Sequence, residues 1–174
     1  MTSSKAASEP TFRLFRKQDA IDYGDMEEVV DSTPVVAKGL VDFYDAGGGE
    51  GVEVKVLFTG YGFSLVYAWF KSAFPLARHS HDQDCLYYII SGTIRVGTEV
   101  LGAGEGFFVG KDVPYTHTAG PEGAEVLEFR NAEAFTTKFI GAQAYWDRAL
   151  ATIAERRDAW AKEQRPGDVF ATAD

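Results

Sequence analysis

Apolar and polar positions alternate through the middle of the chain. Val52, Val54 and Val56 are interleaved with Glu53 and Lys55, the period-2 pattern of a strand with one buried face. Further short runs follow: FSLVYAWF (63–70), LYYII (86–90), TIRV (93–96), GFFV (106–109), YTHT (115–118) and AEVLEF (124–129). Gly, Pro and the pair Ser91-Gly92 punctuate them. The gaps leave no room for crossover helices, so a βαβ architecture is excluded. The pattern predicts an antiparallel barrel or double-sheet roll.

The period changes near Asn131. From Ala144 to Gln164, Trp146, Leu150, Ile153 and Trp160 recur at spacings of four, three and seven. That is one apolar stripe on a helix of about five turns, ended by Pro166-Gly167. Such a helix covers one sheet or packs on a second subunit. The expected organisation is a disordered tail over 1–10, a barrel with an N-terminal arm over 11–135, and a C-terminal helix and tail over 136–174. Between Gln18 and Ala37 lie six acids, Asp19, Asp22, Asp25, Glu27, Glu28 and Asp31, with no base, which reads as a solvated acidic face. The glycines at 47–49 and 51 mark a flexible turn. They are not a phosphate loop, since no GK[ST] follows.

With 174 residues the chain is long enough to bury a core without disulfides, and its single cysteine, Cys85, forbids an internal one. Lys and Arg total 17 against 26 Asp and Glu, a net charge of −9. That balance argues against nucleic acid or an anionic membrane as partner. The N-terminus MTSSKAASEP lacks a hydrophobic signal core, and no apolar run approaches the ~18 residues of a membrane span. A cytoplasmic location is the expectation. Open sheet edges need cover, so a homodimer is expected as well.

The three histidines carry the candidate chemistry. His79 and His81 form an H-S-H pair, and residues i and i+2 of a strand share a face. His117 follows Pro114 on a later run. Three imidazoles converging on one point suit a metal ion. Tyr115, two residues before His117, shares its face and offers a hydroxyl donor to a bound oxygen species or ketone. The aromatic residues of the strands, Tyr67, Trp69, Phe70, Tyr87, Tyr88, Phe107, Phe108, Tyr115 and Phe129, would have about half their number pointing into a cavity.

At these residues the chain resembles the cupin family. The first cupin motif places HxH, then Glu, then Gly at fixed spacing, and His79, His81 and Gly92 match it. Cys85 stands where the family has its metal-binding Glu, and the leading Gly is absent. The second motif begins well at Gly104-Glu105. It then departs, with Gly110 for Pro, Asp112 for Gly and Tyr115 in the usual histidine position, two residues short of His117. The resemblance covers about residues 50–130. It implies an all-β, cupin-type double-stranded β-helix (a jelly-roll barrel), here with a C-terminal helix. Within the family the pattern is similar to the short single-domain 2,4'-dihydroxyacetophenone dioxygenases. That likeness implies iron held by His79, His81, His117 and Glu99, with Glu99 and Tyr115 in catalytic roles. Cys85 and Glu128 are the other candidates for a fourth ligand.

The implied activity is a mononuclear non-haem Fe(II) dioxygenase. With O2 it would cleave a C–C bond in a small aromatic hydroxyketone or related carbonyl compound. The same imidazoles also accept Zn, Ni or Cu. A non-oxidative metal cupin (lyase, isomerase or polyketide cyclase) and a small-molecule-binding cupin are the alternatives.

Overall fold

A computed structural model describes residues 12–25, 27–29 and 33–167. The expected tail over 1–10 lies outside the described residues, as does Asp31 of the acidic run. In chain order the elements are β1 (Ile21–Asp22), β2 (Glu27–Val29), α1 (Pro34–Asp45), β3 (Val52–Gly60), β4 (Phe63–Phe70), β5 (His79–His81), β6 (Cys85–Val96), β7 (Glu99–Gly102), β8 (Gly106–Val109), β9 (Thr118–Arg130), β10 (Phe135–Phe139) and α2 (Gln143–Trp160). A seven-stranded sheet runs β1-β3-β4-β9-β6-β7, with β8 on the same edge of β6 as β7. A separate three-stranded sheet runs β2-β10-β5, with β2 parallel and β5 antiparallel to β10.

This corrects the all-β jelly-roll expectation. The fold is mixed α/β: two open sheets that do not close on each other, and two substantial helices, α1 of 12 residues and α2 of 18. The alternation of the strands is real, but closure depends on edge pairing, which alternation does not encode. Helix α1 is the element missed. Pro34 sits in its first turn, where a missing N–H costs nothing, and the Thr33 hydroxyl accepts from Val36 N at 3.4 Å. Val36, Gly39 and Phe43 recur at helical spacing and are buried. Gly39 hides the stripe in the sequence because it is not apolar bulk. Its role is close approach: a Cβ there would lie 2.2 Å from the Trp146 ring of α2.

Helix α2 lies where the 3.6-residue stripe predicts it and ends four residues earlier, at Trp160. Trp146, Ala149, Ile153 and Trp160 face the core, and Trp160 Nε1 donates to Ser72 O at 2.9 Å. One core cluster joins α1, α2 and the seven-stranded sheet through Phe43, Phe70, Phe74, Ile89, Val126 and the α2 tryptophans Trp146 and Trp160. No helix among the described residues is long and apolar enough to cross a membrane.

Ser91-Gly92, read as a turn, lies within β6. The strand passes through two register irregularities there and continues to Val96, so the runs at 86–90 and 93–96 are one strand. Gly92 has a φ of +71°, and an added Cβ would stand 2.1 Å from Gly123 O. Gly92→Ala is therefore expected to cost about 2 kcal/mol or more, read as a lower urea midpoint at unchanged slope. An unchanged midpoint would mean that the bulge relaxes freely. The run at 115–118 is likewise not a strand. Tyr115 makes an isolated bridge to His79, and β9 starts at Thr118.

Candidate functional site

Strand β5 presents His79 and His81 on one face, both buried. Its partner β10 sets Phe139 opposite His79 and Thr137 opposite His81. The bridge between His79 and Tyr115 brings the later segment across, and His117 leads into β9. The His79 and His81 rings stand 4.8 Å apart between centroids. His117 packs edge-on to Phe70 at 4.8 Å. These side chains form the polar end of a cavity of about 150 Å³, together with Tyr87 and Glu128. Its apolar wall comes from Phe43, Phe70, Phe74, Leu76, Phe139 and Trp146. Helix α1 thus contributes to the site as well as to the core.

The hydrogen bonds have assignable directions. His79 Nδ1 lies 2.7 Å from Ala77 O, and a carbonyl only accepts, so Nδ1 carries the proton. His79 Nε2 then accepts from the Tyr115 hydroxyl at 3.0 Å, and Tyr115 in turn accepts from Tyr87. His81 Nδ1 donates towards Thr136 O at 3.3 Å and Thr137 Oγ1 at 3.1 Å, and Thr137 donates to Glu27. That leaves the His81 Nε2 lone pair facing Arg130 Nη2 at 3.4 Å. Tyr115→Phe would strand the His79 lone pair. It should cost about 1–2 kcal/mol in urea unfolding, and no loss would show that water replaces the hydroxyl.

Burial governs the protonation states. It lowers His79 to about 4, partly opposed by the Ala77 carbonyl, with Arg130 adding to the depression. Burial lowers His81 to about 3, again reinforced by Arg130, and His117 to about 3, with His79 as the lesser cause. All three imidazoles are neutral at pH 7. For Arg130 burial alone would favour deprotonation, but Glu128 and the surrounding phenols outweigh it and hold the cation well beyond its ordinary range. Arg130 Nη2 donates to Glu128 Oε2 at 2.8 Å, both side chains being almost fully buried, and the guanidinium lies 4.0 Å over Phe135.

These facts correct the metal expectations. Among the described residues no three His, Cys, Asp or Glu side chains come together in an arrangement that could hold a metal ion. The His79 lone pair is taken by Tyr115, and the His81 lone pair faces a fixed buried cation that opposes a second one. The donor set therefore does not fit Fe(II), nor Zn, Ni or Cu. The iron-dependent dioxygenase, with O2 and an iron-bound substrate as its partners, is not supported. Glu99 is exposed at the start of β7, paired across the turn with Val96, and takes no part in lining the cavity. Its carboxylate receives the neighbouring Thr98 hydroxyl at 3.5 Å. Cys85 is buried against Tyr87 and Val109, and burial pushes its thiol up to about 12. Tyr115 does lie against the histidines, and Glu128 faces the cavity.

Of the aromatic residues expected around a cavity, Phe70, Tyr87 and Tyr115 line it. Tyr67 and Trp69 are buried elsewhere, Tyr67 donating to Glu125 Oε1 at 2.5 Å. Tyr88, Phe108 and Phe129 are exposed. Sequence reasoning missed Arg130, Glu27, Thr137 and the α1 residues. Arg130 carried a signal, since it lies two residues from Glu128 and shares its face by strand period.

No protein-family model and no curated protein sequence matches the chain. Among solved structures, an RmlC-like cupin from Shewanella frigidimarina NCIMB 400 is 24% identical over 49% of this chain and 79% of its own, with a TM-score of 0.44. The polyketide cyclase RemF from Streptomyces resistomycificus is 18% identical over 55% and 76%, with a TM-score of 0.46. A protein with a cupin-like fold from Ralstonia eutropha JMP134 is 19% identical over 65% and 79%, with a TM-score of 0.45. Each of these likenesses is of low identity and spans only part of the chain.

Proposed function

We propose that the chain is a small-molecule-binding protein of the cupin type, whose cavity takes a compact, uncharged ligand with one ring and a hydroxyl group. The cupin reading is supported by the His79, His81 and Gly92 spacing. The binding reading rests on one observation: His117 Nδ1 is buried on the cavity wall with no hydrogen-bond partner among the described residues. An unmet polar atom of that kind costs about 1–3 kcal/mol, and a ligand hydroxyl would remove that cost. The volume of about 150 Å³ sets the size, since an apolar cavity of that order holds a benzene-sized ring. The polar end offers no free cation to an anionic ligand: the imidazoles are neutral, Arg130 is paired with Glu128, and Glu27 adds only a further carboxyl.

Phenol and toluene, equal in size, test this by calorimetry and thermal shift. Phenol should bind about tenfold or more tightly, since an unpaired buried polar atom costs that much. His117→Phe should abolish the difference. Equal binding of the two probes to the parent chain would defeat the reading.

A further inference from the structure

A second, open cavity of about 330 Å³ lies where the far half of β6 meets β7 and β9, and it shares no lining residue with the histidine cavity. Thr93 and Arg95 alternate onto one face of β6. The register sets Val100 of β7 and Thr118 of β9 beside Arg95. Gly120 keeps one side open, because a Cβ there would lie 2.0 Å from Thr93 Oγ1. Arg156 of α2 and the Ser72-Ala73 segment complete the rim.

The chemistry of this lining is unlike the rest of the chain. The protein carries a net charge of −9, yet this cavity is lined by two arginines and no acid. Arg95 is exposed and has no ion-pair or hydrogen-bond partner among the described residues. Arg156 has only a long contact to its sequence neighbour, Nε to Glu155 Oε1 at 3.7 Å. Ala73, on the rim, has a φ of +54°. A residue with a Cβ is rarely held in that left-handed region, and such backbone gathers at ligand clamps.

We propose that this cavity binds a small phosphate-bearing anion, with the Arg95 and Arg156 guanidinium groups on its oxygens and the Thr93 and Thr118 hydroxyls as further donors. Guanidinium groups match phosphate oxygens in charge and geometry, often two bonds at a time. Two cations and two hydroxyl donors call for at least three oxygens and a double charge. A phosphate group supplies both and a monocarboxylate supplies neither. Val100 then lies against whatever organic group the phosphate carries.

The test is calorimetric titration of the full chain with inorganic phosphate, phenyl phosphate and acetate at low salt. Saturable binding of a phosphate probe with none of acetate is expected. Arg95→Met and Arg156→Met should each weaken it tenfold or more, and Glu155→Gln should tighten it two- to threefold by freeing Arg156. Both arginines are surface residues, and circular dichroism checks that the variants remain folded. Tighter phenyl phosphate would point to an organic ester, and tighter inorganic phosphate to the free ion. No saturable phosphate binding, or binding unchanged in the double arginine variant, would overturn the proposal.

Discussion

Glu128→Leu will lower the free energy of unfolding by about 3–5 kcal/mol, and adding Arg130→Met will recover most of that loss. The single change leaves a guanidinium with almost no exposure and no counter-charge, since Glu128 Oε2 is its carboxylate partner at 2.8 Å. Arg130 Nε and Nη1 already lack partners among the described residues, so the cation has little else to fall back on. The double change removes both charges and leaves an apolar pair beside Phe135, whose ring the guanidinium covered. Urea unfolding of the four chains of this cycle gives the coupling directly. If the single variant proved as stable as the double one, water would have to reach Arg130, and its burial beside Glu128 would not hold in solution.

Acidification from pH 7 to pH 5 will cost about 2 kcal/mol for each of His79, His81 and His117, up to about 6 in all. Unfolded, each titrates near 6.5. Folded, burial holds them at about 4, 3 and 3. Between those values the unfolded chain binds more protons, so stability falls as pH drops through 6.5 and is complete only above it. Glu27 works in the opposite sense. Its carboxyl is raised, by burial first, so the folded chain gains relative stability as that group protonates, which trims the total. His117→Phe should flatten the slope of stability against pH by about one proton between pH 6 and 5. A slope unchanged in that variant would mean that His117 titrates normally.

The histidine pair shows how far local pattern reaches. H-S-H on a strand places two imidazoles on one face whatever the surrounding fold, and β5 does so. What those imidazoles meet is a different matter. Arg130 lies 49 positions from His81 in the chain and arrives through the course of β9. Its charge changes the chemistry of the site from one that would accept a cation to one that already holds one. Glu99 is the converse case. It lies near the right place in sequence, but the β6–β7 register turns it to solvent.

The sequence alone determined the elements whose signal is short-ranged. The alternation at 52–58 and the period of 3.6 through Trp146, Ile153 and Trp160 follow from steric repeat and apolar content, which each segment carries within itself. The tertiary structure decided the rest. Whether the sheets close is set by which edges pair across tens of residues, and here β10 pairs with β5 and β2 outside the main sheet. Helix α1 is readable only once Gly39 is seen as the seat of the Trp146 ring. The polar end of the cavity is likewise a product of through-space proximity. Desolvation and Coulomb interaction depend on distance in the folded chain, and spacing along the sequence carries no record of it.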